Sequence, residues 1–259
     1  MNIFKRRVKL KHLREAANIV SDVLLELKRL TKPGVNLGML DEMAERRIRE
    51  AGATPYNKGY HPEWSKTPYP ATICASVDEE VCHAPPGLRE LKKGQIVTYD
   101  VGIKYKTGCG DAAITVPVGE ISNRKERLLR YAKRALFAGI SEVKAGRPVS
   151  KIGEAVSKDA DINGYYIIKE FGGHSIGREM HEEPKIPNFY DKKNDAIILT
   201  EGQVICIEPM ITPGNAKIGI SKEDSWTVFC LDKQPVAMYE AMILVTKNGY
   251  EILTHHLIG

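Results

Sequence analysis

Four acidic residues stand inside apolar, strand-like runs where a carboxylate has no ordinary place. Asp100 interrupts Ile96-Val97-Thr98-Tyr99-Asp100-Val101-Gly102-Ile103, and strand alternation puts it on the face of Ile96 and Thr98. Asp111 opens the next apolar run, which continues through Ala112 to Val118. Glu208 sits in Val204-Ile205-Cys206-Ile207-Glu208-Pro209-Met210 and Glu240 in Val236-Ala237-Met238-Tyr239-Glu240-Ala241-Met242. Buried charge is costly unless a partner or a metal neutralises it. Any one of these acids could be a strand-end residue or take a distant cation, but no Lys or Arg interrupts the four runs, and together they point to metal. His174, in the glycine-rich turn Glu170-Phe171-Gly172-Gly173-His174-Ser175-Ile176-Gly177, adds a nitrogen donor. Two Asp, two Glu and one His form an oxygen-rich, thiolate-free set suited to Mn, Fe(II), Co or a catalytic zinc pair rather than a structural zinc. Four carboxylate charges balance two divalent ions, and ions held about 3.5–4 Å apart activate water for hydrolysis.

Two further histidines are flanked by turn residues that would fix their direction: His83 in Val81-Cys82-His83-Ala84-Pro85 and His181 in Met180-His181-Glu182-Glu183-Pro184. The second is not an H-E-x-x-H zinc site, because Lys185 occupies the last position.

The elements that must position these groups follow from periodicity. An amphipathic helix carries Leu10, Leu13, Ala17, Val20, Leu24 and Leu27 and stops near Lys32-Pro33-Gly34. A second runs from about Leu37 to Glu50, with Asn36 as N-cap and Gly52 just past its end. Strands are predicted at 71–77, 96–103 and 111–118, the last two joined as a hairpin by Lys104-Tyr105-Lys106-Thr107-Gly108. Helices follow at 123–144 and 150–161, then strands at 165–170, 203–211, 225–231 and 236–246. The order predicts an α+β fold, two similar halves (about 1–120 and 121–259) closing over one mostly antiparallel sheet, read as one domain over 1–259.

Composition bounds the rest. A chain of 259 residues with 42% hydrophobic and 27% charged residues is a globular composition, long enough to bury a real core. No apolar stretch approaches the roughly 20 residues of a membrane span. The net charge of +5 is too mild to establish a nucleic-acid partner. Five cysteines at 74, 82, 109, 206 and 230 are odd in number and form no C-x-x-C, so a disulfide framework is not expected and a reducing cytoplasm is the expected compartment. The N-terminal cations Lys5, Arg6, Arg7, Lys9 and Lys11 precede no apolar segment of a secretory signal.

Asp100, Asp111, His174, Glu208 and Glu240, in this order, resemble the metal set of the pita-bread metallopeptidases, in particular the type I methionine aminopeptidases. The resemblance spans almost the whole chain and is strongest at Ser76-Val77-Asp78-Glu79-Glu80-Val81-Cys82-His83, Asp100 to Asp111, Gly173-His174-Ser175-Ile176-Gly177, His181-Glu182-Glu183-Pro184, Ile207-Glu208-Pro209-Met210, Trp226-Thr227-Val228 and Tyr239-Glu240. It implies two pseudo-symmetric halves with helices on the outer side and removal of the initiator methionine from nascent chains. It further implies Asp111 and Glu240 bridging two metal ions, Asp100 completing one and His174 with Glu208 the other. A hydroxide between the ions would attack the first peptide carbonyl, and the substrate's free amine would bind at one ion. His181 would stabilise the oxyanion, His83 would contact the scissile amide, and Glu208 would relay a proton. Tyr69, Cys74 and Trp226 correspond to the methionine side-chain pocket, although core packing explains Cys74 and Trp226 equally well.

The chain departs from the family pattern at the longer Tyr60 to Pro70 connection, at Ala241 and Ser175, where His and Gly are usual, and at Met180, where Phe is common. None removes a ligand. Two other readings stand beside this one: an Xaa-Pro peptidase on the same fold, which usually carries an extra N-terminal domain, and a non-catalytic module binding RNA or ribosomes through its basic surface. The second has no need of buried acids. A transient ribosome contact through Lys5 to Lys11 and a monomeric state are expectations on the enzyme reading.

Overall fold

In a computed structural model of the chain, the described residues are 8–63, 65–158 and 160–254. Lys5, Arg6 and Arg7 of the basic cluster lie outside them. Helix α1 (Leu10–Leu30) buries Leu13, Ala17, Val20, Leu24 and Leu27 at helical spacing. It ends at Thr31, whose hydroxyl donates to the Leu27 carbonyl and lies 2.9 Å from the Tyr99 hydroxyl. Helix α2 (Leu37–Glu50) starts at the predicted cap: Asn36 Oδ1 accepts from the Gly38 and Met39 amides at 2.9 and 3.3 Å. Gly52 takes the left-handed conformation expected just past a helix end (φ 75°).

The first half continues with β1 (Thr54–Pro55), β2 (Cys74–Val77), β3 (Glu80–Cys82), β4 (Ile96–Tyr105) and β5 (Gly108–Pro117). Strands β4 and β5 pair in unbroken antiparallel register from Ile96↔Pro117 to Tyr105↔Gly108, a tighter hairpin than the predicted one. Helix α1 crosses their outer face at glycines: a Cβ on Gly110 would meet the Ala16 carbonyl at 2.8 Å. Val97, Tyr99, Val101 and Ile103 point to that helical side, while Thr98, Asp100 and Gly102 point inward.

The second half contains α3 (Asn123–Ser141), α4 (Ser150–Ser157), β6 (Tyr166–Ile167), β7 (Gly173–Ser175), β8 (Glu182–Ile186), β9 (Val204–Ile207), β10 (Met210–Thr212), β11 (Ile218–Ile220), β12 (Val228–Cys230), β13 (Ala237–Met238), β14 (Ala241–Thr246) and β15 (Gly249–Ile252). The strand orders are β1-β4-β2 with β5 on β4, β13-β10-β6, β11-β12-β3 and β15-β14-β9-β7-β8, and every pairing is antiparallel. The expected single sheet is thus a set of four smaller ones. The predicted strands 203–211 and 236–246 are each broken where an acid stands, at Glu208-Pro209 and Tyr239-Glu240. Helix 150–161 stops at Ser157, strand 165–170 shrinks to Tyr166–Ile167, and His174 lies in a short strand rather than a turn.

The two halves meet along one seam. Thr115 Oγ1 donates to the Met238 carbonyl and accepts from the Met238 amide, both at 2.8 Å, and the Glu240 amide donates to the Ala113 carbonyl at 2.8 Å. A continuous buried cluster extends across it, from Leu24 and Ile48 through Tyr99 and Ile114 to Leu136, Ile207 and Ile243. Among the described residues no helix is long and apolar enough to cross a membrane.

The glycine contact between α1 and β5 gives a stability prediction. Gly110→Ala forces the helix off the strand and costs about 1–3 kcal/mol in urea unfolding. Gly249→Ala, with nothing within 4 Å of the added carbon, changes stability by less than about 0.5 kcal/mol. Equal effects would mean that close helix–sheet approach is not what Gly110 provides.

Candidate metal centre

Strand register alone brings the acids together. Asp111 stands directly opposite Gly102, and Asp100 lies two residues from Gly102, so both carboxylates share the inner face of the hairpin. The second half repeats the arrangement. Cys206 stands opposite Met242, Glu208 follows β9 by two residues from Cys206, and Glu240 precedes Met242 by two. His174 joins the same face through β7, where Ser175 pairs with Ile205. The approach is close enough that a Cβ on Gly173 would overlap the Cys206 carbonyl, so only glycine can precede His174 here.

His174 is oriented by its own backbone. Its Nδ1 lies 3.0 Å from the Ser175 carbonyl, which can only accept, so Nδ1 carries the proton. Nε2 is then aimed at Asp111 Oδ2, 3.5 Å away, and Glu208 Oε1, 3.8 Å away. These are the only ion pairs that the four carboxylates make among the described residues.

The electrostatics reflect that shortage of positive charge. Burial, then the neighbouring Asp111 and Glu208, push the Asp100 carboxyl well above the usual range. Burial, then Asp111, Glu208 and Asp100, do the same to Glu240. Glu208 is raised to about 7 by burial, with His174 opposing and Asp111 reinforcing the shift. Burial alone would lower His174, but Asp111 and Glu208 outweigh it and raise the imidazole to about 9. Glu240 is 2% exposed, and its Oε1 has no hydrogen-bond partner among the described residues. A crowded carboxylate set with one imidazole and an orphaned buried oxygen fits a multivalent cation, which supplies the missing charge and occupies the open lone pair.

A thiol stands beside the acids: Cys206, which shares a side-chain hydrogen bond with Glu240. Donor atoms of Asp111, His174, Cys206 and Glu240 all lie within 4.8 Å of one another. In an apolar run cysteine reads as a small hydrophobe, and only the β9–β14 register places it beside Glu240.

Asp100, Asp111, His174, Glu208 and Glu240 line a cavity of about 820 Å³ together with His83, His181, Tyr69, Cys74 and Trp226. His83 takes a left-handed conformation (φ 57°) at the end of β3, a strain that turns its ring edge-on to Phe171, 5.5 Å between centroids. Burial, then His181, lower it to about 4. His181 stands open to the cavity just before β8, 4.6 Å from the His174 ring centroid and flanked by Tyr56 and Tyr60. Desolvation and the charge on His174 lower its imidazole below the ordinary value.

Tyr69, Ala71, Cys74 and Trp226 form a separate buried apolar cluster on one cavity wall, Tyr69 meeting Trp226 edge-on at 5.0 Å. Cys74 is opposite Asp100 in the β2–β4 register, so this wall adjoins the acids. The long connection is closed at its base, where Tyr69 N donates to Tyr60 O at 2.8 Å and Gly59 N to Tyr69 O at 2.9 Å, and Trp226 Nε1 donates to Thr67 O at 3.0 Å. Both tyrosines line the cavity. Tyr56, Asn57, Tyr60 and Phe171 also line it; they occupy aperiodic segments and carried no sequence signal. Ser175 satisfies its hydroxyl by donating to Pro184 O and accepting from Gln203, and Met180 packs over Gly102.

Residues 11–247 match the description Metallopeptidase family M24. The chain is 38% identical to methionine aminopeptidase 1 of Bacillus subtilis over 93% of its length and 94% of that protein, and 37% identical to the methionine aminopeptidase of Aquifex aeolicus with the same coverage. It superposes on the crystal structure of methionine aminopeptidase from Rickettsia prowazekii with a TM-score of 0.89 at 32% identity, covering 96% of this chain and 99% of that one. The Xaa-Pro dipeptidase of Bacillus anthracis shares the fold (TM-score 0.72, 22% identity), but the match covers 62% of that chain. The architecture is the α+β pita-bread fold, and the chain belongs to metallopeptidase family M24, within it to the methionine aminopeptidases.

Proposed function

We propose that this chain removes the initiator methionine from nascent proteins by metal-dependent hydrolysis of the first peptide bond, with 1–259 forming one catalytic domain. The observation that carries the reading is the adjacency of two unlike surfaces in one cavity: the carboxylate–imidazole cluster and the closed apolar wall of Tyr69, Cys74 and Trp226. Asp111 and Glu240 would be shared by two divalent ions, Asp100 would complete one, and His174 with Glu208 the other. Bound there, such ions supply a water made nucleophilic near neutral pH and polarise the scissile carbonyl.

The remaining steps belong to the chain's own side chains. The thioether of methionine enters the Tyr69–Cys74–Trp226 wall, where sulfur–aromatic contact is favourable. Those side chains are nearly fully buried and present an apolar surface to it. The substrate's free α-amine, held at one ion, would restrict cleavage to the first residue. His181, open to the cavity, donates to the oxyanion that develops on the carbonyl. His83, neutral at working pH, hydrogen-bonds the scissile amide, and Glu208 passes a proton to the leaving nitrogen. The five free cysteines are compatible with a reducing cytoplasm, where a monomer would meet nascent chains. Lys5, Arg6, Arg7, Lys9 and Lys11 are positioned in sequence for a salt-sensitive ribosome contact, which co-sedimentation across a salt series tests.

The direct test is release of free methionine from Met-Ala-Ser by stripped protein with Mn, Co, Fe(II) or Zn restored, and a Leu-Pro peptide as control. Metal-dependent methionine release with an inert control is expected. Cleavage of the Leu-Pro peptide alone would transfer the assignment to an Xaa-Pro peptidase, and silence with every metal would favour a binding module.

Two substitutions separate holding metal from stabilising charge. His174→Ala loses metal measured by elemental analysis, whereas His181→Ala keeps it but turns over about a hundredfold more slowly, as for loss of one oxyanion donor. Equal metal loss in both contradicts the roles. In imidazole proton NMR of the chelated protein, His83 is expected to stay in its neutral form through pH 5 and to titrate near 4. A midpoint near the ordinary histidine value of about 6.5 would remove the basis for its neutral role.

A further inference from the structure

The excess charge of this chain is concentrated on one helix. Helix α3 carries Arg124, Lys125, Arg127, Arg130, Lys133 and Arg134 against a single acid, Glu126. That excess of five equals the net charge of all 259 residues, so the rest of the chain is neutral in sum and the mild total conceals one strongly basic element. Arg127, Arg130 and Arg134 stand at i, i+3 and i+7 and form one exposed stripe, which Phe137 continues. The opposite face, with Leu128, Ala132, Ala135, Leu136 and Gly139, is buried in the core. Contacts within the protein engage little of the charge on the stripe. Lys125 is held by Asp78 and the Gly94 carbonyl, and Arg124 donates to Gln234. Arg127 and Lys133, by contrast, make no hydrogen bond or ion pair among the described residues. Arg130 meets Glu126 at 3.7 Å with both side chains in open solvent. The Arg134 guanidinium lies over the Tyr131 ring, 4.9 Å from its centroid, and that ring is stacked on Tyr165 at 4.5 Å. The acids that flank the helix in sequence, Glu120 and Glu142, are paired with Lys93 and Arg147.

We propose that the outer face of α3 is a docking surface for the phosphate backbone of folded RNA. The choice of RNA rests on the reading that the substrate is a nascent chain, since such chains are made on an RNA-rich particle; the surface itself is separate from the Lys5 to Lys11 cluster. Four of the six cations are arginines, whose planar forks take two oxygens of one phosphate and lose little freedom in doing so. The stripe from Arg127 to Arg134 extends roughly 10 Å along a rigid helix, a straight row of donors suited to a regular backbone. Double-stranded RNA is recognised largely through its shape and backbone rather than its bases, which asks for such a row and for no base-reading loop. A lipid surface fits less well, because the apolar face of α3 is buried and only Phe137, 37% exposed, is left to enter a bilayer. No α3 residue lines the cavity, so RNA and substrate can be held at the same time.

Fluorescence anisotropy of a labelled RNA hairpin, titrated with the full-length protein across a salt series, reads the surface directly. The native protein should bind with an affinity that falls linearly with the logarithm of salt. The combined variant Arg127→Gln, Arg130→Gln, Arg134→Gln should lose about tenfold or more in affinity at low salt and flatten the salt slope by about two to three. Removing the same charge from exposed lysines of the first half, in Lys28→Gln, Lys66→Gln, Lys106→Gln, should leave affinity and slope within about twofold. Methionine release from Met-Ala-Ser should be the same in the arginine variant and the native protein. Arg127→Gln alone should show a smaller loss in the same direction, which keeps the test open if the combined variant fails to fold. Absence of RNA binding by the native protein at low salt would overturn the inference, and equal losses in the arginine and lysine variants would overturn its placement on α3. Tighter binding to a DNA hairpin or to phosphatidylglycerol vesicles would overturn the choice of RNA. Methionine release without RNA binding would remove this surface and leave the proposed activity, whereas α3-dependent RNA binding without methionine release would remove the activity and leave the surface.

Discussion

Carboxylates packed against one another repel, and most of this architecture holds them together in spite of that. Among the described residues a single imidazole, His174, pairs with Asp111 and Glu208, and Asp100 and Glu240 have no ion pair, in a setting where each buried ion costs several kcal/mol before compensation. The acids are accordingly mounted on or beside paired strands. Rigid strands hold first contacts within the tolerance that coordination demands, and loops do not. A cation that completes such a set contributes to folding as well as to chemistry, because the unfolded chain has no comparable site.

That constraint explains why the two halves must join where they do. Each half contributes a pair of acids, Asp100 with Asp111 and Glu208 with Glu240, and the seam that unites them runs through the residues next to the acids. Glu240 donates its amide to Ala113, two residues from Asp111, while Thr115 holds both the amide and the carbonyl of Met238. The strand break at Tyr239-Glu240 frees that amide for the crossing bond. The helices stay out of the site: α1 crosses the outer face of β4 and β5 at glycines, leaving the inner face to polar chemistry.

What could be read from the sequence and what could not divide along a physical line. The helices announced themselves through apolar spacing, the Asn36 cap and Gly52, and the β4–β5 hairpin through two long runs that alternate about an interrupting acid. The four acids were visible because a carboxylate inside an apolar run is an anomaly. Strands β3, β7 and β8 have three to five residues each, too few to establish a period. The breaks at 208–209 and 239–240 were hidden because the runs stay apolar through them; the first contains Pro209, which has no amide to give to a ladder. Cys206 escaped because its meaning lies in register: the thiol joins the carboxylates only once Met242 is known to face it. The segments carrying Asn57 and Tyr60 have no period at all, and only the bonds between Tyr60 and Tyr69 and between Gly59 and Tyr69 show how that connection is closed at its base.

The three histidines of the cavity show how position decides what one side chain can do. His174, beside Asp111 and Glu208 and donating Nδ1–H to a carbonyl, has its remaining nitrogen aimed at the acids, the arrangement of a ligand. His83 is held neutral by burial and by the positive charge that His181 would add, which suits a hydrogen bond to an uncharged amide. His181 is exposed to the cavity and flanked by tyrosines, free to meet charge only when it develops on a substrate. The difference lies in the backbone that delivers each ring: a strand fixed by Gly173, a left-handed residue at the end of a short strand, and the entry to β8. Since the backbone sets both distance and dehydration, one residue type titrates differently at the three positions, and the chemical division of labour follows the position rather than the residue type.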